Sequence, residues 1–198
     1  MRLVPGILVC LLVTGCAGSP PLPVDHFYHL PVAAPGSAGK GLIDGAIFVR
    51  QFIADGLYQE RALIYTTGAA DIELGQYHYH YWVDSPARLL RDQLIDYLRA
   101  ADAAPRVLDA VDVPAQLRIS ARIKRFERRH DGNSDVVYVS LDFRVDLPDQ
   151  DRPILLREYS EQAAVDGEQM EMVVMAFGKA LSRIFAHLVG DIRVNLSG

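Results

Sequence analysis

Cysteine is almost absent from this sequence. The chain has 198 residues and only two cysteines, Cys10 and Cys16. A domain built from the residues after Cys16 therefore has no thiol for a disulfide or for a metal site. Its stability must come from a hydrophobic core, which a chain of this length can bury. One domain is the expectation for this length.

Clustered positive charge is also lacking. Lys and Arg total 20 residues against 25 Asp and Glu, which gives a formal net charge of −5. The basic residues are spread along the chain, and no block of them stands out. Proteins that bind nucleic acid or dock on anionic lipid usually concentrate Lys and Arg. The pattern therefore argues against both kinds of partner.

Sequence motifs of common catalytic sites are missing as well. No G-x-S-x-G elbow occurs, and Ser37, Ser134 and Ser160 have no neighbouring pattern that marks a nucleophile. The segment GSAGKG (36–41) differs from a phosphate-binding loop, because two residues instead of four precede its Gly-Lys pair and a glycine follows. We name no catalytic residue and expect a protein that is not an enzyme.

The N-terminus is typical of an exported lipoprotein. An apolar run (3–13) follows Arg2 and is shorter than the ~20 residues that a membrane-spanning helix needs. Val13-Thr14-Gly15-Cys16 resembles a bacterial lipobox. We therefore expect residues 1–15 to be a signal peptide. Cys16, carrying a diacylglycerol and an N-acyl chain, would be the sole membrane anchor. The alternative is an ordinary signal peptide that happens to contain a cysteine.

Residues 16–25 are predicted to connect this anchor to a folded domain at 26–198. The stretch AGSPPLPVD (17–25) contains three prolines, which favour a semi-rigid polyproline-II tether. Several acyl chains hold a protein stably on a membrane. Ala17 follows the cysteine, where an aspartate would resemble an inner-membrane retention signal. We expect the outer membrane as the address, with the domain facing the periplasm.

Periodic patterns predict an α+β fold. Strands are expected at 27–31, 42–52, 61–66 and 70–82, in a hairpin formed by 117–124 and 137–147, and within 153–165. Ser85 and Pro86 open a first helix that stops near Pro105, and a second helix follows a stretch that resembles a capping box, 166–169. Strands and helices do not alternate strictly. This order predicts a mixed or antiparallel sheet with two amphipathic helices packed on one face.

The segment YHYHYW (77–82) raises the question of a metal site. On a regular strand, His78, His80 and Trp82 would share one face. Two histidines supply only part of the three or four ligands that zinc or copper requires, and the other histidines have no recognisable metal-site spacing. We favour a strand whose aromatic side chains pack against the following helix, and we predict no metal.

Together these features resemble the ABC-type transport auxiliary lipoproteins, the family of PqiC-like lipoproteins. The resemblance depends on a Tyr28-x-Leu30 element after the anchor and on an aromatic stretch ending in Trp82, ahead of a helix that contains Pro86 and Leu90. It implies a non-catalytic subunit of a lipid-trafficking system. The implied companions are a periplasmic mammalian-cell-entry (MCE) protein, an inner-membrane permease and a cytoplasmic ATPase.

Two expectations about assembly complete the prediction. The long hairpin at 116–147 would leave a strand edge that self-association can protect, so we expect a homo-oligomer. The alternative to a transport subunit is a free-standing outer-membrane lipoprotein with an envelope-stabilising, sensing or enzymatic role.

Overall fold

The structure is a computed structural model that describes residues 23–35, 41–67, 72–110, 114–130 and 134–197. The predicted signal peptide, Cys16, the first part of the tether and most of GSAGKG lie outside these ranges. So does the tip of the predicted hairpin turn, at residues 131–133.

Nine strands and two α-helices make up the described chain. Their bounds are β1 His26–Tyr28, β2 Ala46–Val49, β3 Ile53–Ala54, β4 Ala62–Thr67, β5 Leu74–Trp82, α1 Pro86–Ala100, β6 Arg106–Leu108, β7 Leu117–His130, β8 Asp135–Asp146, β9 Leu155–Ala164 and α2 Met170–Ser197. One turn of 3₁₀-helix, Gly56–Gln59, separates β3 from β4.

All nine strands join one mixed sheet, with β7 at its centre. On one side β7 pairs antiparallel with β8, which pairs antiparallel with β9. On the other side β2, β3 and β4 follow one another along β7, all parallel to it. Beyond them, β6 pairs with β2, β5 pairs with β4, and β1 pairs with β5.

The hairpin of β7 and β8 is therefore interior, and our expectation that it leaves an open edge is wrong. Each of its two strands pairs on both sides, because three short strands share the outer side of β7 and β9 covers β8. The described strands that pair on one side only are β1, β3, β6 and β9. Any protection of an edge by self-association must involve one of these.

Alternating side chains explain why the central strands form a half-buried sheet. Every second residue of β8 from Val137 to Val145 is buried, and the same holds in β7 from Leu117 to Ile123. In α1, Leu90, Leu94 and Leu98 lie on one stripe and are fully buried. The buried residues of both helices and of the inner sheet face form one hydrophobic cluster, so the predicted α+β class is confirmed.

Helix α2 is long and apolar enough to span a membrane, by length and composition alone. Its apolar residues are used differently here. Phe177, Leu181, Ile184, Phe185 and Leu188 are all buried against the sheet and α1. The Tyr97 and Phe185 rings of the two helices meet with centroids 5.5 Å apart. Core packing accounts for the apolar character of α2.

Several predicted boundaries need correction. The strand expected at 42–52 is shorter than predicted, since only β2, Ala46–Val49, lies inside that range and β3 begins just beyond it. The amides of Leu42 and Ile43 bind the Ala103 carbonyl oxygen instead of a neighbouring strand, so β2 starts late. The short strand β6 was not predicted. Helix α2 begins four residues after Asp166, and the Asp166 carboxylate binds Lys179 Nζ at 2.9 Å. Ser85 is the N-cap residue of α1, but its side chain makes no capping hydrogen bond.

Candidate functional site

The predicted tether enters the folded body at a joint between β1, β5 and α2. We call this region the N-terminal joint and define it as residues 26–33 together with their partners on β5 and α2. Strand β1 lies parallel to β5, with His26 opposite His80 and Tyr28 opposite Trp82. The Val83 amide donates to the Tyr28 carbonyl oxygen at 3.1 Å. These bonds continue the sheet to the point where the chain arrives from its N-terminus.

Tyr28 closes the joint through a side-chain hydrogen bond. Its hydroxyl lies 2.8 Å from Nδ1 of His80, and the His80 ring stacks on His26 with centroids 5.2 Å apart. Burial, and then the neighbouring His26, lower the pKa of His80, while Glu171 opposes the shift. Burial, and then Glu171, raise the pKa of Tyr28. A neutral imidazole next to a neutral phenol is the favoured state of this pair.

The YHYHYW segment departs from a regular strand. Tyr79 has a φ of 65°, and the pairing with β4 shifts from Ala62 opposite Tyr81 to Ile64 opposite Gln76. Residues 77–80 therefore form a bulge in the ladder. The predicted alternation of side chains fails here, because it assumes a two-residue period that the bulge interrupts.

This bulge separates the two histidines that raised the metal question. His80 points toward Tyr28, whereas His78 is exposed and its nearest ring neighbour is Tyr79. Within the described ranges, no three His, Cys, Asp or Glu side chains are grouped so that they can hold a metal ion.

After β1 the chain crosses α2 at close range. An ideal Cβ built on Gly178 lies 2.0 Å from the Pro31 carbonyl oxygen, so only glycine allows this crossing. The Ala33 amide donates to Ser182 Oγ at 3.0 Å, and that hydroxyl donates to the Gly178 carbonyl oxygen at 2.8 Å. Leu30, only 3% exposed, enters the hydrophobic core between these contacts. Gly178 and Ser182 thus hold the segment 30–33 against the helix.

Trp82 links the joint to the centre of the core. It is 1% exposed, and its ring lies 5.2 Å from Phe126 on β7 and 5.4 Å from Phe177 on α2, centroid to centroid. Its ring contacts are thus with β7 and with the last helix, α2. Trp82 also shares the hydrophobic cluster with Leu90 of the following helix, α1. Its amide donates to the Arg61 carbonyl oxygen at 2.7 Å, and Arg61 Nε donates to the Trp82 carbonyl oxygen at 3.1 Å.

The other two candidate residues lie on α1. Pro86 occupies the first position of the helix and is buried, and Leu90 is fully buried one turn later. Leu90 belongs to the same hydrophobic cluster as Leu30 and Trp82, and Tyr28 packs against that cluster. The structure places all five candidates at or next to the core. A role for any of them in binding a partner remains a prediction.

A buried polar network lies elsewhere on β7 and was missed by the sequence analysis. The Glu127 side chain is inaccessible to solvent. It accepts hydrogen bonds from the Tyr58 hydroxyl and from Arg125 Nε, the latter at 2.8 Å. The Arg125 guanidinium lies 4.4 Å above the Tyr138 ring. Burial, and then Glu127, raise the pKa of Tyr58. A pairing shift between Ile123 and the Arg125 position puts this acid inside, and the alternating pattern alone gives no signal of that shift.

The joint holds two parts of the chain together. Tyr28, His80 and Ser182 form hydrogen bonds within it, and Leu30 and Trp82 enter the core. This arrangement can hold the N-terminal segment firmly to the sheet and to α2.

Comparison with known proteins places this geometry in a family. Residues 28–189 match the model of the ABC-type transport auxiliary lipoprotein component, a range that begins at Tyr28, within the joint. The chain belongs to this family. The description of this family refers to a part in ABC-type transport. No curated protein matches the chain.

Solved structures share the fold of this auxiliary lipoprotein. A protein from Xanthomonas campestris is 16% identical and superposes with a TM-score of 0.76, over 86% of this chain and 95% of its own. A Chlamydia trachomatis protein is 9% identical, with a TM-score of 0.52, over 76% of this chain and 98% of its own. At such identities the likeness concerns the fold alone. The auxiliary lipoprotein is thus similar to both in architecture over most of its length.

Proposed function

We propose that the protein is a non-catalytic auxiliary subunit of an MCE-type lipid transport system. In this proposal Cys16 anchors it to the outer membrane, and the folded domain docks onto a periplasmic MCE protein during lipid trafficking between membranes. The observation that carries the proposal is the family match, which extends over most of the chain. The N-terminal joint supports it, because a domain held by a lipid anchor needs its tether fastened to the body.

A groove on the side of the sheet away from α2 is the docking surface we favour. Ile53 and Leu156 are large apolar side chains that stay exposed, and both line a groove of about 350 Å³. Arg50, Arg122 and Arg144 line it as well. Arg122 and Arg144 bind Asp55 and Asp146, whereas Arg50 has no side-chain partner among the described residues. Apolar centres with polar and Arg-rich surroundings are typical of protein interfaces.

Photo-crosslinking in cells tests this docking. We expect a photoreactive amino acid at Ile53 to capture the MCE protein in a strain that expresses the cognate transporter. The control position is Val194 on α2, which is also exposed but lies outside the groove. Capture of the MCE protein from Val194 and not from Ile53 would contradict docking at the groove and would place the interface at α2. Capture from neither position, with both variants at the normal level, would favour the free-standing lipoprotein.

We also propose that the protein works as a homo-oligomer. Strand β9 supports this assembly, since it is ten residues long and pairs only with β8 among the described strands. An exposed edge of this length can be protected by a second copy. Native mass spectrometry of the detergent-purified lipoprotein is expected to show several copies per particle. A monomer at cellular concentration would contradict the assembly and leave the docking proposal standing.

A further inference from the structure

A cavity of about 350 Å³ opens beside β1, where the tether enters the fold. Its lining includes Asp25, Phe27, Glu60, Arg61 and Tyr81. This volume is within the range of small-ligand sites. The family assignment and the proposed docking give this cavity no role.

An aromatic pair forms one wall of the cavity. The Phe27 and Tyr81 rings stack with centroids 5.7 Å apart, because their residues are register partners on β1 and β5. Phe27 remains about half exposed although it lies in a strand. Such a wall can hold an apolar or cationic group over its faces.

Arg61 is held in place beside this wall. Its Nε donates to the Trp82 carbonyl oxygen at 3.1 Å, and its guanidinium carbon lies 5.4 Å from the centre of the Phe27 ring. Arg61 forms no ion pair with a described acidic residue. The terminal nitrogens of a fixed guanidinium suit a phosphate group, which they can bind through two parallel hydrogen bonds.

Two carboxylates complete the charge pattern. Asp25 and Glu60 are exposed, and neither has a side-chain partner in the described part of the chain. This differs from the groove near Ile53, where two of the three arginines are paired with aspartates. A cavity with one fixed cation and two unpaired carboxylates fits a ligand that carries a phosphate and an ammonium. Carboxylates favour a primary ammonium, which donates three hydrogen bonds, over a quaternary one, which donates none.

The position of the cavity indicates where such a ligand would come from. Asp25 lies nine residues after Cys16. A fully extended chain of nine residues spans roughly 32 Å at most. The cavity therefore stays within one tether length of the membrane that holds the anchor.

We infer that this cavity binds the headgroup of an ethanolamine phospholipid in the supporting membrane. The phosphate binds Arg61, and the ammonium lies between Asp25 and Glu60 near the Tyr81 ring. This inference rests on the anchored-lipoprotein part of the proposed function. Headgroup binding at this point would orient the domain on the bilayer beside its own tether.

Titration of the detergent-purified lipidated protein with soluble headgroup analogues tests the inference. Glycerophosphoethanolamine is expected to bind saturably, glycerophosphocholine more weakly, and glycerophosphoglycerol at least tenfold more weakly because it lacks the ammonium. Arg61→Gln and Glu60→Gln should each weaken the ethanolamine analogue about tenfold. Arg106→Gln and Glu168→Gln are matched controls, since both residues are exposed and lie outside the cavity lining.

Three results would overturn the assignment. The first is the absence of saturable binding by the ethanolamine analogue. The second is equal binding of the ethanolamine and glycerol analogues, which would mean that the ammonium is not recognised. The third is displacement of the bound ethanolamine analogue by an oligolysine peptide, together with unchanged affinity for that analogue in Arg61→Gln. This pair of results would assign the cavity to a cationic protein segment. Crosslinking from Ile53 to the MCE protein is independent of these results, so failure of this inference is distinguishable from failure of the proposed function.

Discussion

Replacing Gly178 by alanine isolates the contribution of the N-terminal joint to stability. The added methyl group would lie 2.0 Å from the Pro31 carbonyl oxygen, which is backbone and has no rotamer to adopt. Ordinary contact needs more than 3.4 Å, so the segment 30–33 must move away from α2 by over 1 Å. Loss of the hydrogen bond from Ala33 to Ser182 would lower the free energy of unfolding by about 1 kcal/mol. Removal of Leu30 from the core would lower it by about 1.5–3 kcal/mol more.

Helix propensity acts in the opposite direction. Alanine in a helix interior is favoured over glycine by about 1 kcal/mol. Gly178→Ala should therefore destabilise the domain by about 2 kcal/mol net. Gly190→Ala in the same helix is the matched control, because nothing lies within 4 Å of its Cβ position. That variant should gain about 1 kcal/mol, which separates the two alanine variants by about 3 kcal/mol.

Urea denaturation followed by circular dichroism measures both values, provided that the slope of the transition stays the same. A double-mutant cycle with Ser182→Ala adds a second check, because a displaced segment no longer binds that hydroxyl. We expect the serine change to cost about 1 kcal/mol alone and much less beside Gly178→Ala. If Gly178→Ala is as stable as Gly190→Ala, the segment does not pack on α2 as described.

Three further predictions follow from the same region. Trp82→Ala should destabilise the domain by about 3–5 kcal/mol, since it removes a buried ring between two phenylalanines, whereas His78→Ala should cost far less; thermal melting of the two variants gives the ranking. The pKa of His80 is lowered in the folded protein, so its contribution to stability is complete above the unfolded value of about 6.5 and is lost as pH falls through the folded value; His80→Asn should flatten the pH dependence of the urea midpoint in that range. Cys16→Ser should leave an unprocessed, unlipidated precursor, and acylation of that variant in mass spectrometry would contradict the anchor assignment.

The periodic parts of the fold were predictable because burial there follows a single rule. Alternation in β8 and the stripe Leu90, Leu94, Leu98 each reflect one element packing on one core. Pairing partners were less accessible to sequence reasoning. Strands β2, β3 and β4 follow one another along β7, and no local sequence pattern indicates that all three pair with the same strand.

The joint was predicted only in part, for two physical reasons. A bulge with a positive φ at Tyr79 breaks the two-residue period of the strand. The sheet face on which each side chain of YHYHYW lies therefore could not be predicted from strict alternation. The crossing of Pro31 over Gly178 joins residues far apart in the sequence, and a glycine in a helix indicates a close approach without naming its partner. Tyr28 and Leu30 were found through a family resemblance, and that resemblance carries no information about the helix beneath them.

The size and orientation of β1 determine how this domain would respond to tension. A pull from an anchored tether enters through a strand of three residues that lies parallel to β5, while the central strand β7 is fourteen residues long and paired on both sides. Load along a strand axis shears its few hydrogen bonds together, and the crossing at Gly178 takes up the force next. In a force-extension experiment, residues 23–33 should therefore detach first, as a short early extension that removes β1 and leaves the other eight strands paired. The joint would therefore yield at a lower force than the rest of the domain, and the central strands would stay folded while the tether is pulled.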